Sequence, residues 1–137
     1  DLRLMREGMW AVVNEEGGTG RSGRIPASAG ILAGKTGSVQ VRRVSREARE
    51  RGFRAENQPR EWRPHALFVG FAPYDDPRYA VAVVVEHGTS GSGTAAPIAR
   101  DILVDTFNRF RQVPVQPPLP APGSPGPRVA DAGRIDP

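Results

Sequence analysis

The segment AGKTGSVQV, residues 33–41, concentrates the polar groups of this sequence that could bind an anion and assist acyl transfer. Lys35 is the only lysine in the chain, and Thr36, Gly37 and Ser38 follow it. An ammonium group about 4 Å from a carboxylate interacts with it by roughly 4 kcal/mol at an effective dielectric near 20. A backbone donor aimed at a developing oxyanion adds roughly 3 to 4 kcal/mol of transition-state stabilisation. The pattern therefore indicates an anion-binding strand in an acyl-transfer enzyme, where glycine permits close approach of a substrate.

Two other interpretations of this motif stay open. The letters GKT end the phosphate-loop pattern G-x-x-x-x-G-K-[ST], but the position of its first glycine is occupied by Ala29. A phosphate loop also runs into a helix whose amides hold the anion, whereas SVQVRRV has the pattern of a strand. The second alternative is a surface lysine without a chemical role, because a three-residue motif often occurs by chance.

Three further segments accompany the motif in a fixed order. GGTG precedes it, HALFVGFAPYDDPRYAVAVVVEHG follows at residues 65–88, and AAPIARDIL follows at residues 95–103. Together with K-T-G, a motif of serine acyl-transferases that bind penicillin, they cover about residues 2–110. Over this range the sequence resembles the C-terminal part of the transpeptidase domain of class B penicillin-binding proteins, in particular the rod-elongation branch of that family.

The resemblance implies a peptidoglycan D,D-transpeptidase. In this family a serine attacks the penultimate D-Ala of a stem peptide, and the acyl group passes to an amine on a neighbouring strand; β-lactam antibiotics acylate the same serine. By resemblance, Lys35 and Ser38 are catalytic: the lysine sets the electrostatics beside the nucleophile, and the Ser38 backbone N–H forms half of the oxyanion hole. Thr36, Gly37 and Ser38 are the implied substrate-binding residues, with hydroxyls for the substrate carboxylate and a glycine that leaves room for the ligand.

The same resemblance implies the surroundings of the enzyme. Its expected partners are peptidoglycan stem peptides, β-lactam antibiotics and the proteins of an elongation complex, and no nucleic acid. It is expected in the periplasm, anchored to the inner membrane through a segment that this chain does not contain. No cofactor and no metal are expected.

The two other family motifs are missing from this sequence. The nucleophile motif S-x-x-K would require a serine at the position of Leu32, because Lys35 is the only lysine. No serine has an asparagine two residues after it, so S-x-N is missing as well. We expect both motifs upstream of Asp1 in a longer parent protein, and we expect the isolated chain to be inactive.

Composition limits the remaining function classes. The chain has 137 residues, no cysteine and two histidines, which argues against thiol chemistry, disulfides and Cys/His zinc sites. The longest apolar run, residues 79–85, is far shorter than the roughly 20 residues of a membrane span. Residues 42–63 contain eight arginines and four glutamates, which gives this segment a net charge of +4. Its arginines leave one alternative of another class, a non-catalytic module that binds an anionic polymer such as nucleic acid.

The patterning predicts an α+β fold, with an antiparallel sheet covered by helices. The resemblance implies that this sheet is part of a penicillin-binding protein or β-lactamase-like transpeptidase fold. Strands are predicted at residues 31–41, 65–72 and 78–87, the last two as an antiparallel hairpin. Both faces of this hairpin are apolar, so we expect both to be covered. The small side chains of Ala80 and Ala82 would let a helix approach closely.

Two helices are predicted to pack on this sheet. The first spans residues 2–14, and the second lies within residues 94–110, after a flexible connection at residues 88–93. The stripe of the second helix that we expect to face the sheet consists of Ile98, Ile102, Leu103, Thr106, Phe107 and Phe110.

The C-terminal composition sets the domain boundary. We divide the chain into residues 1–112, the C-terminal portion of a transpeptidase domain, and residues 113–137. The second part contains eight of the 14 prolines and little apolar periodicity. It is predicted to be a disordered tail.

Overall fold

The computed structural model describes residues 1–110, and the predicted tail lies outside the described residues. Three strands form one antiparallel sheet in the order β1-β2-β3. They are β1 (Ala33–Val39), β2 (His65–Ala72) and β3 (Tyr79–Val85). The predicted hairpin is therefore present, and the strand with the K-T-G motif lies at an edge of the sheet.

Three α-helices accompany the sheet: α1 (Leu2–Asn14), α2 (Arg46–Glu50) and α3 (Ala96–Phe110). The spacing of apolar residues predicted α1 with its observed bounds. The Asp1 carboxylate accepts the backbone N–H of Arg3 and caps the start of α1. No helix among residues 1–110 is long and apolar enough to cross a membrane.

The strand register assigns side chains to the two faces of the sheet, because directly opposed residues of antiparallel strands share a face. Phe68 in β2 lies opposite Thr36 in β1 and Val83 in β3. Its neighbour Val69 lies opposite Lys35 and Ala82. We call the face of Phe68 the α3 face and the face of Val69 the second face.

The hydrophobic core lies between α3 and the α3 face. Phe68 and Leu103 are among its largest fully buried side chains. The core consists of Val13, Leu32, Ala66, Phe68, Ala72, Val83, Ala95, Ala96, Ala99 and Leu103. The predicted stripe of α3 is wrong at Ile98, Ile102 and Phe110, which are 39%, 47% and 50% exposed. The small side chains of Ala96 and Ala99 face the sheet instead and let the helix backbone approach it.

The second face is only partly covered within residues 1–110. At one end the Arg6 guanidinium of α1 lies 5.8 Å from the centroid of the Phe71 ring, and Met9 shares a groove with Ala80 and Ala82. Elsewhere this face is open: Val69 is 47% and Val84 is 66% exposed. The expectation of a hairpin covered on both sides is therefore wrong for the described residues.

Candidate active-site wall

Lys35 lies at the free edge of the sheet. Its side chain is exposed, and Nζ donates a hydrogen bond to the Thr36 carbonyl oxygen at 2.7 Å. No carboxylate within residues 1–110 forms an ion pair with it. The one lysine ammonium group of the chain is therefore held against the strand edge and has no opposite charge beside it in the described structure.

The backbone of β1 presents donors and acceptors at the same edge. A Cβ built on Gly91 would lie 2.9 Å from the Gly37 nitrogen and 2.6 Å from the Leu67 carbonyl oxygen, so these two atoms lie together between β1 and β2. Backbone groups along a strand point alternately to its two sides. Since Gly37 points towards β2, Thr36 and Ser38 point their N–H and C=O groups to the free edge. The bond from Lys35 to the Thr36 carbonyl agrees with this orientation.

The four predicted site residues come from both faces of one strand. Lys35 and Gly37 belong to the second face, and Thr36 and Ser38 belong to the α3 face. Because β1 is an edge strand, side chains of both faces border the free edge. This edge can therefore combine an ammonium group, two hydroxyls and a free Ser38 N–H, which is the set of groups that an anionic acyl donor requires.

Thr19 is a site neighbour that was not predicted from the sequence. Its hydroxyl lies 3.0 Å from the Thr36 hydroxyl. The loop that carries it is tied to the end of α1 by a bond from the Gly20 N–H to the Val12 carbonyl at 2.8 Å. The sequence signal that could have indicated Thr19 is its place between two glycines, Gly18 and Gly20, in the loop that precedes the motif strand.

A helical turn at Gly91–Ala95 supports β1 from the α3 face. A flexible connection was predicted for residues 88–93. This prediction is wrong from Gly91 onwards, where the chain forms the turn and buries Gly91 and Ala95. The Ser22 hydroxyl donates to the Ser92 carbonyl and ties the turn to the loop before β1. The missing side chain of Gly91 lets the turn contact the Gly37 backbone, a non-local packing that composition alone does not predict.

The two histidines meet at the end of the hairpin and make structural contacts. The His65 Nδ1 accepts the backbone N–H of His87 at 2.9 Å, and the His87 Nδ1 lies 3.1 Å from the Arg63 carbonyl oxygen. The Thr89 N–H donates to the Pro64 carbonyl beside them. These bonds join the start of β2 to the segment that leads into the supporting turn.

The arginine-rich connection between β1 and β2 forms a small lobe, residues 40–64, with α2 and two single 3₁₀ turns. Ion pairs within the lobe join Arg46 to Glu50 and Arg54 to Glu56. Hydrogen bonds of the Glu47 carboxyl with its own backbone N–H and with the Ser45 hydroxyl lower its pKa, so this carboxylate is charged at neutral pH. No observation favours the alternative of a module that binds an anionic polymer.

The comparisons with known proteins decide the family. A model of the penicillin binding protein transpeptidase domain matches residues 1–104. The chain belongs to this family of penicillin-binding transpeptidase domains. The family that the K-T-G strand and its accompanying segments predicted is thus confirmed.

Curated relatives of this chain are much longer than the chain itself. Peptidoglycan D,D-transpeptidase MrdA of Haemophilus influenzae is 38% identical over 98 residues, which is 72% of this chain and 14% of the relative. The chain therefore spans about one seventh of the length of that relative.

Solved structures of penicillin-binding proteins share the fold. The complex of penicillin-binding protein 2 with MreC from Helicobacter pylori aligns with a TM-score of 0.62 at 29% identity, over 80% of this chain and 17% of that chain. Penicillin-binding protein 2 of Pseudomonas aeruginosa, solved with WCK 5153, aligns with a TM-score of 0.51 at 40% identity, over 74% and 18%. The predicted α+β sheet with helices as part of this fold is confirmed.

Proposed function

We propose that the chain forms one wall of the active site of a peptidoglycan D,D-transpeptidase, and that the nucleophilic serine lies in another part of a longer protein. The observation that carries the proposal is the free edge of β1, where the Ser38 N–H and the Lys35 ammonium group border one another in a member of this family. The edge supplies electrostatic stabilisation, and it contains no S-x-x-K nucleophile.

Each site residue has a distinct role in this proposal. The serine oxygen forms a bond to the carbonyl carbon of the penultimate D-Ala, and the terminal D-Ala leaves with a proton on its amine. The Ser38 N–H donates to the oxyanion while it develops. Lys35 lowers the energy of negative charge beside the nucleophile. Thr36 and Ser38 hydroxyls bind the substrate carboxylate, and Gly37 keeps the strand accessible.

The exposed apolar groups agree with a place inside a larger domain. Val69 and Val84 leave the second face open, and Leu2, Leu4 and Met5 of α1 are 78%, 67% and 63% exposed. Contiguous apolar surface of this kind marks an interaction surface in most soluble proteins. We assign residues 1–112 to the C-terminal portion of a transpeptidase domain whose remainder packs on this surface.

Partners and location follow the relatives. The Helicobacter pylori penicillin-binding protein 2 forms a complex with MreC, and we propose an elongation-complex partner of the same kind for the longer protein. Stem peptides and β-lactam antibiotics are its proposed ligands. We place the longer protein in the periplasm, anchored to the inner membrane by a segment outside this chain.

Fluorescent penicillin tests the division of the active site. We expect the longer natural protein to become covalently labelled and the 137-residue chain to remain unlabelled. Labelling of the isolated chain would contradict the proposal, as would a longer protein that is never labelled.

A lysine variant tests the role of the strand edge. Lys35→Ala in the longer protein should slow acylation by about a hundredfold or more, with the melting temperature nearly unchanged because the side chain is exposed and forms no ion pair within residues 1–110. Arg49→Ala removes an exposed positive charge from the lobe and serves as the control. A Lys35→Ala protein with full acylation would remove Lys35 from the active site.

A further inference from the structure

We propose that a pocket in the arginine-rich lobe binds a free carboxylate of the peptide substrate. The inference rests on the proposed function and names a specificity site for it. We call the pocket the Arg42 pocket; its volume is about 260 Å³. It is lined by Arg42, Arg43, Val44, Ser45, Ala48, Phe53, Gln58 and Trp62.

The pocket has an oriented cation at its rim. The guanidinium carbon of Arg42 lies 4.2 Å from the centroid of the Trp62 ring. Stacking on an indole holds the planar guanidinium and leaves its N–H groups free at the edge, where they match the two oxygens of a carboxylate. Trp62 is 43% exposed, so the stacked pair is accessible to a ligand.

The charges of the lobe leave this cation available. The ion pairs of the lobe, residues 40–64, use Arg46 and Arg54, whereas Arg42 and Arg43 have no carboxylate partner within residues 1–110. The floor of the pocket is apolar and includes Phe53. A carboxylate on a short aliphatic side chain fits both the cation and the apolar floor. The acidic side chains of a peptidoglycan stem peptide have this chemistry.

The position of the pocket fits a substrate bound along β1. Arg42 follows Ser38 by four residues, so their Cα atoms lie within about 14 Å of each other. A substrate whose reacting carbonyl is held by the Ser38 N–H reaches the lobe with about four extended residues. The stem peptide thus needs no second binding domain to place an acidic group at Arg42.

The glutamates of the lobe argue against a long anionic polymer as the ligand. Glu47 and Glu61 are interleaved with the arginines and repel a continuous phosphate backbone. A single carboxylate at one stacked arginine is compatible with them. Tighter binding of a nucleic acid than of the peptide would therefore contradict the inference.

Peptide binding can be measured without catalysis. The 137-residue chain is titrated with a stem pentapeptide carrying free side-chain carboxylates and with the same peptide amidated at those groups, and isothermal titration calorimetry measures the two affinities. We expect the free acid to bind about tenfold more tightly. Arg42→Gln and Trp62→Ala should both abolish this preference, the second without a change in charge. Arg49→Gln, an equal loss of charge outside the pocket, should retain it.

Turnover by the longer protein completes the test. The ratio of kcat/KM for the free peptide over the amidated peptide should fall about tenfold in Arg42→Gln and stay constant in Arg49→Gln. Equal losses in both variants, tighter binding of an oligonucleotide than of the peptide, or no preference in the natural sequence would overturn the inference. A natural protein that binds the free peptide preferentially yet takes up no penicillin would refute the proposed function and leave the inference standing.

Discussion

Gly91 lies directly against the backbone of Gly37, the glycine of the K-T-G motif. A Cβ at Gly91 would lie only 2.5 Å from the Gly37 carbonyl oxygen, closer than real Cβ contacts allow. The turn at Gly91–Ala95 can therefore support β1 only because residue 91 has no side chain. The position of the strand edge depends on this contact, together with the pairing of β1 to β2 and the contact between Thr36 and Thr19.

Replacing Gly91 should displace the motif strand. Gly91→Ala puts a methyl group against two backbone oxygens that cannot rotate away, which we expect to cost about 2 kcal/mol of unfolding free energy. In the longer protein the same change should slow penicillin acylation, because β1 shifts. Gly93→Ala is the matched control, since its Cβ would meet only the Ser90 side chain at 3.5 Å. Equal melting temperatures of the two variants would show that the turn does not hold the strand.

The free N–H of Ser38 can be removed without removing a bond of the sheet. Proline lacks this donor and is tolerated on edge strands where the N–H faces outward. Ser38→Pro should therefore fold with a nearly unchanged melting temperature, while acylation by penicillin in the longer protein falls by about a hundredfold to a thousandfold. Ser38→Ala, which keeps the N–H and loses the hydroxyl, should acylate far faster than the proline variant.

Two other results for Ser38→Pro would each contradict part of this prediction. Unfolding of Ser38→Pro would show that the N–H is paired within the sheet, which contradicts the assigned strand orientation. A folded Ser38→Pro protein with normal acylation would show that the oxyanion is held elsewhere.

Local patterns predicted the elements that carry the site. Apolar spacing predicted α1, and the strand pattern around K-T-G placed Lys35 and Ser38 on one strand. The exposure of the second face was not predicted, because an apolar face shows only that a cover is needed. The alternation of apolar residues along a strand does not show which part of the protein covers that face, because this depends on tertiary packing.

Non-local backbone contacts were the other gap. The glycines and serines of residues 88–93 have the composition of a flexible loop, yet Gly91 is buried because its partner Gly37 is far away in the sequence. The choice of which side of α3 is buried has a similar cause. Alanine side chains are smaller than isoleucine side chains and offer less apolar surface, but Ala96 and Ala99 are the buried ones because they permit a closer approach of the helix. Steric fit decided both cases.

Thr89 has an unfavourable backbone conformation that a glycine would relieve. Its φ is 70°, in a region where a β-branched residue is strained by about 1 to 3 kcal/mol. Thr89→Gly should raise the unfolding free energy by about 1 kcal/mol after the entropy of the more flexible unfolded chain is subtracted. Chemical denaturation measures the change. Thr106→Gly, the same exchange inside α3, should lower stability, and a loss of stability in both variants would contradict the strain at Thr89.

The His65 ring joins the start of β2 to the segment that leads into the supporting turn, because its Nδ1 accepts the His87 backbone N–H at 2.9 Å. His65→Leu leaves this half-buried donor without its partner and should lower the unfolding free energy by about 1 to 2 kcal/mol. The side-chain oxygen of an asparagine can take the place of Nδ1 as the acceptor, so His65→Asn should retain most of the stability. Hydrogen exchange at the His87 amide gives the direct measurement: fast exchange in the leucine variant and slow exchange in the asparagine variant are expected. Equally slow exchange in both would mean that the ring only fills space there, and that the lobe is joined to the segment before the turn by the bonds of Pro64 and Arg63 alone.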